Sequence, residues 1–229
     1  MSQNRRFEYD KGPRLEDDTT PPESDDDADA DERPAPDAGD RRIAVAPWKA
    51  GSVAGVSAFV IVFAAFYQLI TAYAATGSYG QGDSGPSNWV IAGLTTLANH
   101  GAAIQQGGEP IDGIGMYPVG LVPSVSALIP AVVLLAAGYF LVRYVALETR
   151  REAGVAVGAF LVSYVVLAVG LAVLAQWTPG TGTEGMEEGA ITAATDLSLI
   201  VTVGGTVLTF ALLGAGVAAL PRLRPAGDE

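Results

Sequence analysis

Cysteine is absent from this chain, which excludes disulfides, thiol catalysis and thiolate metal sites at once. Lysine is nearly absent: Lys11 and Lys49 stand against eleven arginines. His100 is the single histidine, and one imidazole without further nitrogen or sulfur ligands makes no structural zinc site. Missing too are a phosphate-binding glycine loop followed by lysine, paired histidines at helical spacing, and a serine with a lysine or histidine base inside the apolar runs. No catalytic residue, cofactor or metal is therefore expected, and the chain does not read as an enzyme. The net charge of −12 argues against nucleic acid as a partner.

Charge is also missing from four long apolar runs, at about 51–75, 123–142, 153–175 and 197–220. Each is long enough for a helix to cross a hydrocarbon core of roughly 30 Å. A soluble bundle would show amphipathic helices, whereas Phe59–Phe66 and Ala131–Val142 are apolar on every side. No Lys or Arg occurs in segments 76–122 or 176–196; all thirteen precede the first run, separate the second from the third, or follow the fourth. Cytoplasmic loops collect basic residues, so both termini are expected inside. The fold class is all-α: a multi-pass cell-membrane protein of four transmembrane helices, with a short outer interfacial helix and the lipid bilayer as its first partner.

Residues 1–48 hold fourteen acidic against seven basic residues and little to bury, and read as a disordered acidic cytoplasmic tail. Residues 49–220 form the membrane domain, and 221–229 a second cytoplasmic tail. Trp48, Trp89 and Trp177 fall at the edges of apolar segments, the headgroup level that tryptophan prefers. Within the outer segment 76–122, Pro86-Ser87-Asn88 opens a helix over 88–100 and Gly101 stops it. Thr95, Thr96, Asn99 and His100 share one face of it. Such a helix is too short to span, so it either lies on the outer leaflet or re-enters as a plug; the leaflet position is the expectation, with Leu94 and Leu97 inward and Asn99 and His100 toward water. The stretch from Gly107 to Gly113 reads as an ordered turn or loop.

Pro130 is expected to kink the second span. Gly51-xxx-Gly55 and Gly154-xxx-Gly158 are small-residue patterns that suit close helix packing. Spans one and three share a weak likeness, Ala-Gly-Ser-Val-Ala against Ala-Gly-Val-Ala-Val, of the kind a parallel repeat leaves. Candidate functional residues are few. Asp196 stands at the outer end of span four, as a cation or proton site shared with Gln68 or Thr71, or as a helix N-terminal carboxylate. Thr202, Thr206 and Thr209 share a face beside Gly204-Gly205, a pair expected to interrupt the helix, and form a polar stripe that either lines a pore or bonds locally. His100 pairs with Glu109 or Asp112, or is solvated at a helix end, and Asn99 sits beside it. Glu184, Glu187 and Glu188 form an acidic turn whose spacing fits no calcium cage.

An acidic tail, an early span, the Trp-led segment Trp89–Gly101 with Asn99 and His100 near its end, and three further charge-free spans make a recognisable arrangement. It resembles uncharacterised four-span membrane proteins of haloarchaea over most of residues 50–220. That resemblance implies no activity, although some members are loosely labelled transporters. The function expected is a non-catalytic interaction or accessory subunit, in contact with a homo-oligomer or a membrane protein partner; the alternative is a small transporter or channel acting as an oligomer.

Overall fold

In the computed structural model the described residues are 43–77, 85–111, 125–178 and 189–223, with side chains to residue 220. They form helices α1 (Pro47–Ala75), α2 (Asn88–Ala98), α3 (Leu128–Tyr144), α4 (Arg150–Leu174) and α5 (Leu197–Leu223). Three short strands, β1 (Ile104–Gln106), β2 (Glu109–Pro110) and β3 (Ile191–Ala193), join them. The tail at 1–42 and the acidic turn at 184–188 lie outside the described residues.

Three helices, Pro47–Ala75, Arg150–Leu174 and Leu197–Leu220, are long and apolar enough to cross a membrane. The second apolar run appears as α3, with 17 residues, a length of about 25 Å at 1.5 Å per residue. The bundle is apolar outside as well as inside: Val53, Val132, Val162, Val166, Leu197 and Val201 are all more than 60 % exposed. An apolar surface of that extent suits lipid and not water.

Helix direction follows from the ends. Ile43 donates its amide to the Tyr144 carbonyl at 2.8 Å, which joins the start of α1 to the end of α3. Trp177, just beyond α4, pairs with Ile191, just before α5. Gly51 meets the Ala156 backbone and Gly55 the Phe160 backbone so closely that neither has room for a Cβ, and α1 therefore runs parallel to α4. Gly138 of α3 meets Ala211 of α5, and Gly214 meets Leu135, in the same way. The closest packing is thus between α1 and α4 and between α3 and α5, not between helices adjacent in the chain. Gly154 and Gly158 face open space, so of the two small-residue patterns only Gly51-xxx-Gly55 makes a helix contact here.

Local chemistry explains the ends. Thr149 Oγ1 accepts the Glu152 amide at 3.1 Å while Glu152 Oε2 accepts the Thr149 amide at 3.2 Å, a reciprocal cap that starts α4. Gly107 and Gly108 both have positive φ, 61° and 91°, and form the two-residue turn between β1 and β2. β1 also pairs antiparallel with β3, giving the order β2-β1-β3. The expected ordered turn is present at Gly107-Gly108, but the small sheet it joins was not anticipated. Two further expectations need correction. Pro130 lies in the first turn of α3, where its missing amide has no intrahelical acceptor to lose, so it starts the helix and does not kink it. Gly204-Gly205 does not interrupt α5, which runs unbroken through both.

The largest correction concerns α2. Eight of its eleven residues, Val90 to Leu97, are buried. It packs inside the bundle and not flat on its surface. Gly93 makes this possible: a Cβ there would meet Ala175 Cβ at 2.8 Å and Leu171 Cδ1 at 3.1 Å. Ile91 and Ala92 join Val62, Phe66 and Ile70 of α1 in one apolar cluster. Only Trp89, at 43 % exposure, remains a large exposed side chain on the helix.

Candidate functional site

α2 ends in the middle of the bundle because glycine ends it there. Gly101 takes φ +87° and donates to the Ala98 carbonyl at 2.9 Å, while Ala102 donates to the Leu97 carbonyl at 3.1 Å. These two bonds make the glycine-dependent turn that caps a helix C-terminus. The chain then returns extended into β1. Tyr164, which α2 reaches, lies ten residues before the end of α4, or about 15 Å. Thr206, on its other side, lies nine residues into α5, or about 13 Å. Both distances put the tip of α2 near half the depth of the bundle.

His100 sits at this tip, 2 % exposed, and the expected water-facing position is overturned. The turn that closes α2 directs the side chain inward, so the polar face of the helix meets the other helices and not solvent. Its Nδ1 lies 2.7 Å from the Thr96 carbonyl, and its Nε2 lies 2.8 Å from the Tyr164 hydroxyl. A carbonyl oxygen only accepts, so Nδ1 carries the proton. Neither partner is a carboxylate, and an imidazolium buried without counter-charge is costly. The neutral ring therefore leaves Nε2 to accept from Tyr164. Tyr164 is itself fully buried, held by Phe59 edge-on at 5.3 Å between centroids and by Phe160 at 6.4 Å.

The other candidates distribute around this pair or away from it. Thr206 Oγ1 donates to the His100 carbonyl at 3.3 Å, so one hydroxyl of the α5 stripe reaches the tip. Thr202 and Thr209 instead bond the carbonyls of Ser198 and Gly205 in their own helix, both exposed, and line no shared path. Asn99 is half-buried; its Nδ2 donates to the Thr95 carbonyl at 2.9 Å, and its Oδ1 accepts from Ser126 Oγ at 3.4 Å. Thr95 Oγ1 is buried with no hydrogen-bond partner among the described residues. Glu109 is exposed on β2 and is not a partner of His100 in these bonds; Asp112 lies outside the described residues.

Asp196 is exposed and caps α5: its Oδ1 accepts from the Ser198 hydroxyl and, at 3.0 Å, from the Ser198 amide. The Ser198 hydroxyl, with help from neighbouring amides, holds its carboxyl below the usual aspartate range against an opposing desolvation. Thr71 bonds the carbonyls of Tyr67 and Gln68 in its own helix, at 2.9 Å each. The helix-terminal role of Asp196 accounts for its contacts.

Sequence reasoning missed Tyr164. The signal was present, since a phenol inside an otherwise apolar run needs a partner for its hydroxyl. Among the described residues no group of three or more His, Asp or Glu side chains is placed to hold a metal ion.

A family model described as a family of unknown function (DUF7978) matches residues 31–222, and the chain belongs to that family. No curated protein and no solved structure matches it.

Proposed function

We propose, for a chain whose family has no assigned activity, a four-span integral membrane protein of the cell membrane with both termini cytoplasmic. In this reading α3 is the short second span, α2 is a half-membrane re-entrant helix entering from outside, and the role is non-catalytic, an interaction or accessory subunit. The observation that carries it is the filled centre. α2 occupies the space between the long helices, and the polar groups buried among the described residues are Thr95, Thr96, His100, Ser126 and the Tyr164 hydroxyl, none charged in the neutral state assigned above. Intramembrane charge is the usual mark of an ion or proton path, and its absence from this interior favours a packed scaffold. The orientation is supported by Lys49, Arg143, Arg150 and Arg151, which gather at the bundle end where α1 and α4 begin and α3 stops. The acidic, lysine-poor composition fits the haloarchaeal likeness.

A small transporter or channel working as an oligomer is the second reading. It is favoured by the buried Thr95 hydroxyl without a partner, one residue from Thr96 and four from Asn99, at the half-depth end of α2.

Two experiments separate these. Single cysteines at Ser24, Ser84 and Gly182 in this cysteine-free chain are probed on intact cells with a membrane-impermeant thiol reagent. Positions 84 and 182 label and 24 does not; labelling at 24 overturns the orientation. Purified protein in vesicles is then assayed for cation and proton flux. Flux no greater than in empty vesicles is expected of an accessory subunit; flux that scales with protein density would establish the transport reading instead.

A further inference from the structure

Between α1 and α3 runs an open apolar groove of about 770 Å³, within the range of roughly 300–1,000 Å³ that small-molecule sites occupy. It exists because α1 gives its glycine face to α4. Small residues, Ala50 and Ala54 of α1 and Ala136 and Ala137 of α3, then line the space toward α3. α1 and α3 are antiparallel, so Lys49 and Tyr144 stand at one end of the groove, and Ile61 and Val132 at the other. The bonds of Ile43 to Tyr144 and Ala146 hold the segment before α1 against the polar end. Among the described residues, Lys49 is the one charged side chain lining it.

The dimensions are those of a single leaflet. From Lys49 to Ile61 is twelve residues, about 18 Å of helix, against about 15 Å for half of a hydrocarbon core. The cation and the tyrosine hydroxyl thus stand where a lipid headgroup would, and the apolar walls end where its acyl chain would. Lys49 lies over the exposed Trp48 ring, 5.5 Å from its centroid, a second group of the headgroup level. We propose that this groove is a specific site for one anionic glycerophospholipid of the Lys49-side leaflet, its acyl chain between α1 and α3 and its phosphate at Lys49. The proposal rests on the membrane reading above.

The test uses the full chain, purified in detergent, stripped of lipid and titrated with phosphatidylglycerol or phosphatidylcholine of identical chains, with retained lipid counted by native mass spectrometry. One phosphatidylglycerol per chain is expected, preferred over phosphatidylcholine by about fivefold, the effect of one cation beside an anionic headgroup. Lys49→Gln removes the preference while leaving binding of both lipids. Ala137→Phe fills the groove and abolishes retention of either. An undiminished preference in Lys49→Gln, equal retention of both lipids by the wild type, or a second copy of the chain shielding the groove would each overturn the site. Lys49 is exposed and its substitution leaves the fold intact, so that arm decides even if Ala137→Phe does not fold. Alkaline carbonate extraction of cell membranes is run alongside: release of the protein would overturn the membrane reading, and failed lipid binding by a carbonate-resistant protein would overturn the groove alone.

Discussion

The Tyr164 hydroxyl and His100 Nε2 lie 2.8 Å apart across 64 residues of sequence, and this bond joins the tip of α2 to the middle of α4. His100→Ala removes the acceptor and leaves the phenol and the Thr96 carbonyl to find others. The expected loss is about 2–3 kcal/mol. Tyr164→Phe should cost about 1 kcal/mol, the usual size for an interhelical bond in a membrane. Reversible unfolding in mixed micelles gives both values. The double variant closes the cycle with a coupling of about 0.5–2 kcal/mol. Independent effects that simply add would remove the bond from the account of stability.

The α1–α4 contact should tolerate no side chain. Gly51→Ala and Gly55→Ala each force the helices apart, at about 1–3 kcal/mol. Gly154→Ala and Gly158→Ala, at positions with open space, should change stability by less than about 0.5 kcal/mol. Equal effects at the two pairs, measured by the same unfolding assay, would contradict the helix pairing.

Gly101 carries a positive φ of 87°, and a Cβ there would lie 3.2 Å from the Thr202 methyl. Gly101→Ala should therefore cost about 1–2 kcal/mol from the left-handed backbone alone. Proteolysis of the variant should show faster cleavage between α2 and β1. Unchanged protection would mean that the turn does not hold the tip in place.

Asp196 ionises more readily folded than unfolded, because Ser198 donates to its carboxylate. A folded value below the ordinary 3.8 means that its contribution is present above that pH and is lost as pH falls through the folded value. Asp196→Asn should therefore lower stability slightly at neutral pH, with the difference from wild type shrinking as pH falls below the ordinary 3.8. A difference that grows as the solution is acidified would reverse the sign of this account.

The long helices were legible because a run such as Phe59–Phe66 is apolar all round, and nothing else in a chain reads that way. Gly101 as the stop of α2 was equally legible, since its turn needs a positive φ. The position of α2 was not. The periodicity that groups Thr95, Thr96, Asn99 and His100 on one face is the same whether that face meets water or a buried tyrosine. The partner is 64 residues distant and leaves no local trace. The Thr149-x-x-Glu152 cap was a readable signal that went unread, whereas the Gly107-Gly108 turn was read as a turn but not as the bend of a sheet. Asp196 presented two readings from sequence, and its Ser198 bonds favour the helix-terminal one.

The pairing of α1 with α4 also sets an order of events during synthesis. Gly51 and Ala156 are about a hundred residues apart, so at about 5–20 residues per second the first helix waits on the order of 5–20 seconds for its partner. Throughout that interval α2 has no Tyr164 to receive His100 and no Leu171 to cover Gly93. A nascent chain released before residue 164 would therefore hold an uncovered polar helix tip. Arrival of α4 is thus the step that first covers the tip of α2.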